Sequence, residues 1–168
     1  MEKKIFKAKQ YSVSSTQLLN FKPEMVFPLL CPQREYDWIE SWKGKIIYSK
    51  SGFAELDCVF STDLPGDIKE IWTIDLFNKN EKIQFVRFTE SRVIRYSITL
   101  IDNKNGTTTA NWEQTITSIS EEGNSYIENF SDIEYETKIK SLEKMLNYYL
   151  TTGTTLSFAG PDRDPPAG

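Results

Sequence analysis

The residues best placed to do chemistry are a small polar set, Thr62, Glu70, Arg87 and Gln114, each interrupting a run of bulky residues. An arginine among apolar neighbours must be paired or reach water, and a carboxylate is its strongest partner. Glu70 and Arg87 therefore read either as a satisfied ion pair or as a polar anchor for a ligand carbonyl, carboxylate or hydroxyl. As catalytic residues Glu70 and Arg87 are weak candidates. A second charged group, Arg34, Glu35 and Asp37 in CPQREYDWIESW, reads more simply as solvated or mutually paired surface charge. The chain has no histidine, which removes imidazole acid–base chemistry, Ser–His triads and His-based metal sites together. Any base would have to be Glu or Asp with its pKa raised by burial. Cys31 and Cys58 lack CxxC spacing and read as buried free thiols. No cofactor and no metal site is expected.

These side chains need a scaffold that brings distant segments together, and the stretch from Glu81 to Leu100 supplies its centre. IQFVRF and VIRYSITL alternate apolar and polar residues around a short turn at Glu90-Ser91, the period of a half-buried hairpin. The implied pairs are Arg87 with Ile94, Phe85 with Tyr96 and Ile83 with Ile98. Further strands are expected at 45–50, 54–62, 69–77 and 107–119, broken by Ser51-Gly52, Leu64-Pro65-Gly66-Asp67, Asn78-Lys79 and Asn103 to Gly106. Extending the register outward sets Ile74 opposite Ile83, Trp72 opposite Phe85 and Glu70 opposite Arg87. It also sets Phe60 beside Trp72, Cys58 beside Ile74, Tyr48 beside Leu56, Tyr96 beside Trp112 and Ile94 beside Gln114. One face then carries an aromatic belt of Phe60, Trp72, Phe85, Tyr96 and Trp112, with the polar set toward one end. The belt is either a plain core or the wall of an apolar pocket.

The flanking segments are helical or extended. Residues 4–20 read as a first strand. Lys22-Pro23-Glu24 opens a short helix, and Pro28 and Pro32 split the following run into two short helices. Trp38 and Trp42 lie four apart on one helical face and are expected to lid the cavity, with simple packing glue as the alternative. The last element is a long helix with capping-box spacing at Ser131 and Glu134, or a turn earlier at Ser125 and Glu128. Its stripe of Tyr135, Ile139, Leu142, Leu146 and Tyr149, with Met145 alongside, is expected to face the sheet. Glu134–Lys138 and Glu136–Lys140 are expected as pairs on the wet face, with Glu143 also outward, and Gly153 as the stop.

At 168 residues the chain fits one domain with a sizeable core. A net charge of -4 with scattered Lys and Arg argues against a nucleic-acid surface. No segment has signal-peptide form or the length of a membrane span, so a cytoplasmic protein is expected. An outer apolar row, Val86, Phe88 and Val93, points to a partner or a homodimer.

The order strand, two short helices, six antiparallel strands, long helix resembles the SRPBCC superfamily (START domains, the birch pollen allergen, polyketide cyclases). LLCPQREYDWIESW followed by GFAELDCVF, and NGTTTANWEQTITSI before the last helix, look most like its uncharacterised bacterial polyketide cyclase/dehydrase branch. The resemblance implies an α+β helix-grip fold in which about seven curved strands wrap a long C-terminal helix. It makes residues 1–153 one SRPBCC-like domain and 154–168 a tail, disordered or of cloning origin. It also implies a cavity between sheet and helix that binds a small hydrophobic molecule, a lipid among the candidates. The expected ligand-binding residues are Trp38, Trp42, Tyr48, Phe60, Trp72, Phe85, Arg87, Tyr96, Trp112, Gln114, Leu142, Met145, Leu146 and Tyr149. A cyclase- or dehydratase-like enzyme on a polyketide-like substrate, and a protein-interaction module, remain the alternatives.

Overall fold

A computed structural model describes residues 5–158. Strand β1 (Gln10–Leu19) is followed by a single turn of helix, α1 (Pro23–Val26), and 3-10 turns at Phe27–Leu30 and Glu35–Asp37. Strands β2 (Lys45–Tyr48), β3 (Val59–Leu64), β4 (Ile68–Asn78), β5 (Lys82–Phe88), β6 (Arg92–Asp102) and β7 (Thr108–Ser118) come next. Helices α2 (Glu121–Glu128) and α3 (Asp132–Thr152) close the chain. All pairings are antiparallel, in the order β1-β7-β6-β5-β4-β3-β2. The core lies between this sheet, the Trp38–Trp42 segment and α3. This is the helix-grip fold.

The β5–β6 hairpin has the expected register, with Phe85 opposite Tyr96 and Arg87 opposite Ile94. Phe60 pairs with Trp72 and Thr62 with Glu70 across the Pro-Gly turn, and Cys58 accepts from the Ile74 amide at 3.0 Å. Two other registers differ from expectation by two residues. In β4–β5, Trp72 lies opposite Arg87 and Ile74 opposite Phe85. The loop there is Lys79-Asn80-Glu81, with Asn80 in the left-handed region at φ 66°. An odd loop alone would turn one strand over, but a bulge at Asp75, between Ile74 and Leu76, restores the inward face. In β6–β7, Tyr96 lies opposite Gln114 and Ile98 opposite Trp112. The Asn103–Thr107 loop closes later than Gly106, pinned by an Asn103–Thr107 backbone bond of 3.1 Å and by Asn105 Oδ1 accepting from the Thr107 amide.

The segment expected as a strand from residue 54 is instead a closed loop. Glu55 folds back and accepts hydrogen bonds from the Ser51 amide, the Ser49 hydroxyl and the Lys50 amide. Those donors hold its carboxyl below the usual range. Asp57 adopts φ 66°. Strand β2 therefore pairs late, Tyr48 meets Val59 rather than Leu56, and Tyr48 and Leu56 are 66% and 56% exposed.

Helix α2 starts earlier than either capping site read from sequence: Ser120 caps it by accepting from the Gly123 amide at 3.2 Å. Helix α3 begins at Ser131, which accepts from the Glu134 amide at 3.2 Å, and ends at Gly153 with φ 69°. Tyr135, Ile139, Leu142, Met145 and Leu146 are buried, and Tyr149 packs partly buried against the core. Glu143 is not free on the wet face: it accepts from the Leu18 amide at 2.7 Å and pairs with Lys140 at 3.2 Å. Asn147 clasps the same strand, accepting from the Asn20 amide and donating to the Leu18 carbonyl. Of the expected tail, residues 154–158 lie against the domain, with Thr155 donating to the Asp37 carbonyl and the Phe158 amide to Glu40. Leu156 and Phe158 pack on the core; the rest of the tail lies outside the described residues. Cys31 and Cys58 are free and buried, and burial pushes the Cys58 thiol up to about 11.

Candidate functional site

The alternating residues of β3 to β7 point their large side chains at α3, and the rings meet in a chain. Phe60 stacks on Trp72 at 5.2 Å, and Trp72 meets Phe85 and Tyr96 edge-on at 5.8 and 6.0 Å. Tyr96 meets Trp112 at 5.7 Å. Trp42 extends the chain, 6.4 Å from Phe60. The indole N–H groups of Trp38 and Trp42 donate to the Leu29 and Pro32 carbonyls, each at 2.7 Å. These bonds fix both rings, so the two tryptophans wall the space and also tie the 3-10 segment down.

Between these rings and α3 lies a small, partly open cavity of about 40 Å³, room for roughly three waters. Of the residues read from sequence as ligand-binding, Trp38, Trp42, Phe60, Trp72, Phe85, Arg87, Tyr96, Trp112, Gln114 and Leu142 line it. Tyr48, Met145, Leu146 and Tyr149 do not: Tyr48 is at the exposed sheet edge, while the other three pack on the core away from the cavity. A wider outer chamber of about 290 Å³ adjoins at the α2–α3 joint. It shares Arg87, Gln114, Tyr135 and Lys138 with the inner cavity and adds Tyr126 and Phe130.

The polar set converges where the two spaces meet. Arg87 donates to Glu70 at 3.3 Å and to Gln114 at 2.6 Å. Its guanidinium carbon sits 4.7 Å from the Trp72 ring centre and 5.5 Å from that of Tyr96, a cation–π arrangement. Glu70 is 2% exposed and takes a long 3.5 Å contact from Thr62, which itself accepts from Trp72 Nε1 at 2.9 Å. Two cavity donors, Arg87 Nε and Trp112 Nε1, are buried with no acceptor among the described residues.

Two further charged residues line the cavity that sequence reasoning assigned to the surface. Glu35 sits at the head of the Trp38 segment, and burial pushes its carboxyl up to about 8, against the opposing pull of Lys138. Lys138 does not pair with Glu134 on the wet face but turns inward. Burial and then the nearby Arg87 charge bring its amine down to about 8, with Glu70 and Glu35 working the other way. Burial likewise raises the Tyr96 and Tyr135 hydroxyls, which stay protonated; Tyr135 donates to the Trp112 carbonyl at 3.1 Å. A signal for both missed residues was available. Glu35, Trp38, Ile39 and Trp42 recur at i, i+3, i+4 and i+7, and Lys138 falls at i+3 between Tyr135 and the Ile139–Leu142 stripe.

Among the described residues no group of three or more Cys, Asp or Glu side chains is arranged to hold a metal, and no helix is long and apolar enough to cross a membrane.

In fold the chain is similar to several solved structures that share little of its sequence. Norcoclaurine synthase from Thalictrum flavum, in complex with dopamine and hydroxybenzaldehyde, superposes with TM-score 0.59 at 8% identity, covering 89% of this chain and 98% of that one. Ara h 8.0201 superposes with TM-score 0.59 at 10% identity, over 86% and 99% of the two chains. A protein from the dynemicin biosynthetic locus gives TM-score 0.60 at 14% identity, over 85% of this chain and 48% of the other. No protein-family model matches the sequence, and neither does any curated protein. At these identities the likeness is one of fold.

Proposed function

We propose that this protein binds a small, mainly apolar organic molecule between its sheet and α3. The observation that carries the reading is the aromatic-walled cavity with a polar cluster at one end and a wider chamber outside it. The inner space alone is far below the roughly 300–1,000 Å³ of typical ligand sites, and the outer chamber supplies the missing room. The fold is shared with an enzyme seen holding two small aromatic compounds, which makes this use of the fold reasonable. Purification from the native host followed by native mass spectrometry tests it directly, alongside titration with a neutral apolar dye. Leu142→Phe, which fills the cavity, should abolish binding, while Tyr48→Ala at the exposed edge should not. Binding untouched by Leu142→Phe, or no bound molecule and no dye uptake, would remove the reading.

A second, enzymatic reading rests on Glu35 and Lys138. Two groups brought to about 8 from opposite directions are suited to trade protons near neutral pH, as a cyclase- or dehydratase-like reaction requires. Glu70 and Arg87 are committed to each other and serve better as positioning groups. Turnover lost in both Lys138→Met and Glu35→Gln, with binding retained, would support this reading; turnover unchanged in both would end it.

A further inference from the structure

We propose that the ligand is an organic anion, a one-ring carboxylate whose carboxyl group sits between the Arg87 guanidinium and the Trp112 indole N–H. The inference rests on the ligand-binding reading above and narrows it to a chemical class.

The first argument is hydrogen-bond accounting. Buried polar groups are nearly always partnered, so each exception calls for a reason. Among the described residues the buried side-chain nitrogens without an acceptor are Arg87 Nε, Arg92 Nε and Trp112 Nε1. Two of these three belong to residues lining one small cavity. Trp112 is only 2% exposed, so bulk water does not serve its N–H. The nearby acceptors are already engaged: Gln114 Oε1 by Arg87, Thr62 Oγ1 by Trp72, and the Trp112 carbonyl by Tyr135. None of these acceptors is left for the two orphaned donors.

The second argument is charge. Arg87 and Lys138 face the space where the chambers meet, with Glu70 bonded to Arg87. Of the other carboxyls, Glu35 in the inner cavity is held toward its neutral form by burial, and Glu134 stands exposed on the rim of the outer chamber. Around the inner cavity the cations Arg87 and Lys138 thus face one paired carboxylate, Glu70, and a poorly solvated place of that kind is where an anion gains most. A carboxylate supplies two acceptor oxygens for the two orphaned donors. The inner cavity accommodates a group of that size, and the outer chamber, with Tyr126 and Phe130 on its wall, accommodates a ring.

The test compares three probes of one shape and different charge against the full chain at pH 7: phenylacetate, 2-phenylethanol and 2-phenylethylamine. Binding is followed by proton–nitrogen NMR, the Trp112 indole signal being identified by its loss in Trp112→Phe. Phenylacetate should bind at least tenfold tighter than the alcohol, shift the Trp112 indole N–H, and outcompete the amine entirely. Trp112→Phe, which keeps the ring, should weaken phenylacetate several-fold and leave the alcohol unchanged. Lys138→Gln should also weaken phenylacetate, and avoids the folding risk of removing Arg87. Equal binding of acid and alcohol, tighter binding of the amine, or a Trp112 signal that ignores bound phenylacetate would overturn the anion assignment while leaving ligand binding intact. Failure of all three probes and of a neutral apolar dye would remove both.

Discussion

Replacing Arg87 by Met isolates the energetics of the buried cluster. The substitution keeps much of the stem's volume but leaves Glu70, 2% exposed, with only the 3.5 Å contact from Thr62. Stripping one partner from a buried pair costs about 3–5 kcal/mol, because the remaining charge is neither hydrated nor paired. For a chain of 168 residues, at about 2–4 °C per kcal/mol, this lowers Tm by roughly 6–20 °C. Arg87→Met with Glu70→Leu removes both charges and should recover most of that loss. Recovery should be incomplete, because Arg87 also bonds Gln114 at 2.6 Å and lies over Trp72. Those contacts contribute about 1–3 kcal/mol together. Urea denaturation of the four proteins of the cycle measures the coupling directly. A single Arg87→Met costing under about 1 kcal/mol, or a double mutant no more stable than the sum of the singles, would refute the idea that Glu70 depends on Arg87.

Leu142 lines the cavity and Leu146, fully buried, does not. Leu146→Ala should therefore cost about 3–5 kcal/mol and Leu142→Ala about 2–3 kcal/mol, and the reverse order by chemical denaturation would count against the cavity. At Gly44 an added Cβ would stand 2.2 Å from Trp42 Cζ2. Gly44→Ala should then cost about 1–3 kcal/mol and alter the tryptophan emission spectrum, while an unchanged spectrum would mean that Trp42 is not held as described. Raised Glu35 makes the folded state bind a proton the unfolded chain has lost, so stability falls as pH climbs from 4.5 toward about 8. Lowered Lys138 does the opposite, so stability returns between about 8 and 10.5. A trough near pH 8 should appear in Tm against pH, with its acid-side slope reduced in Glu35→Gln; a profile in Glu35→Gln identical to the parent would exclude Glu35 as its source.

The β5–β6 hairpin was legible because its turn is short and both strands alternate cleanly, leaving one register that buries Phe85 and Ile98 together. The neighbouring registers were not, for local reasons. The bulge at Asp75 and the left-handed Asn80 compensate each other, so hydrophobic parity survives while pairing slides by two. Parity was enough to find the aromatic wall, since sliding by two keeps each residue on its face, but not enough to name opposite partners. Lys138 and Glu35 escaped because a charged residue on the flank of an apolar stripe is ordinarily solvated. Only the packing of two separate segments, one before β2 and one after β7, turns both toward the same space.

The clasp of Glu143 and Asn147 on the backbone of residues 18 and 20 has a consequence for self-association. Strand β1 is one border of the sheet, and a free border is a template on which another chain can add a strand. Here the Leu18 amide and carbonyl, which such an addition would use, are already occupied by α3. The opposite border, β2, is four residues long and irregular, too short to template much. At its Leu18 end β1 is thus closed off by α3, and β2 offers little length, so neither of these stretches is a ready template for a further strand.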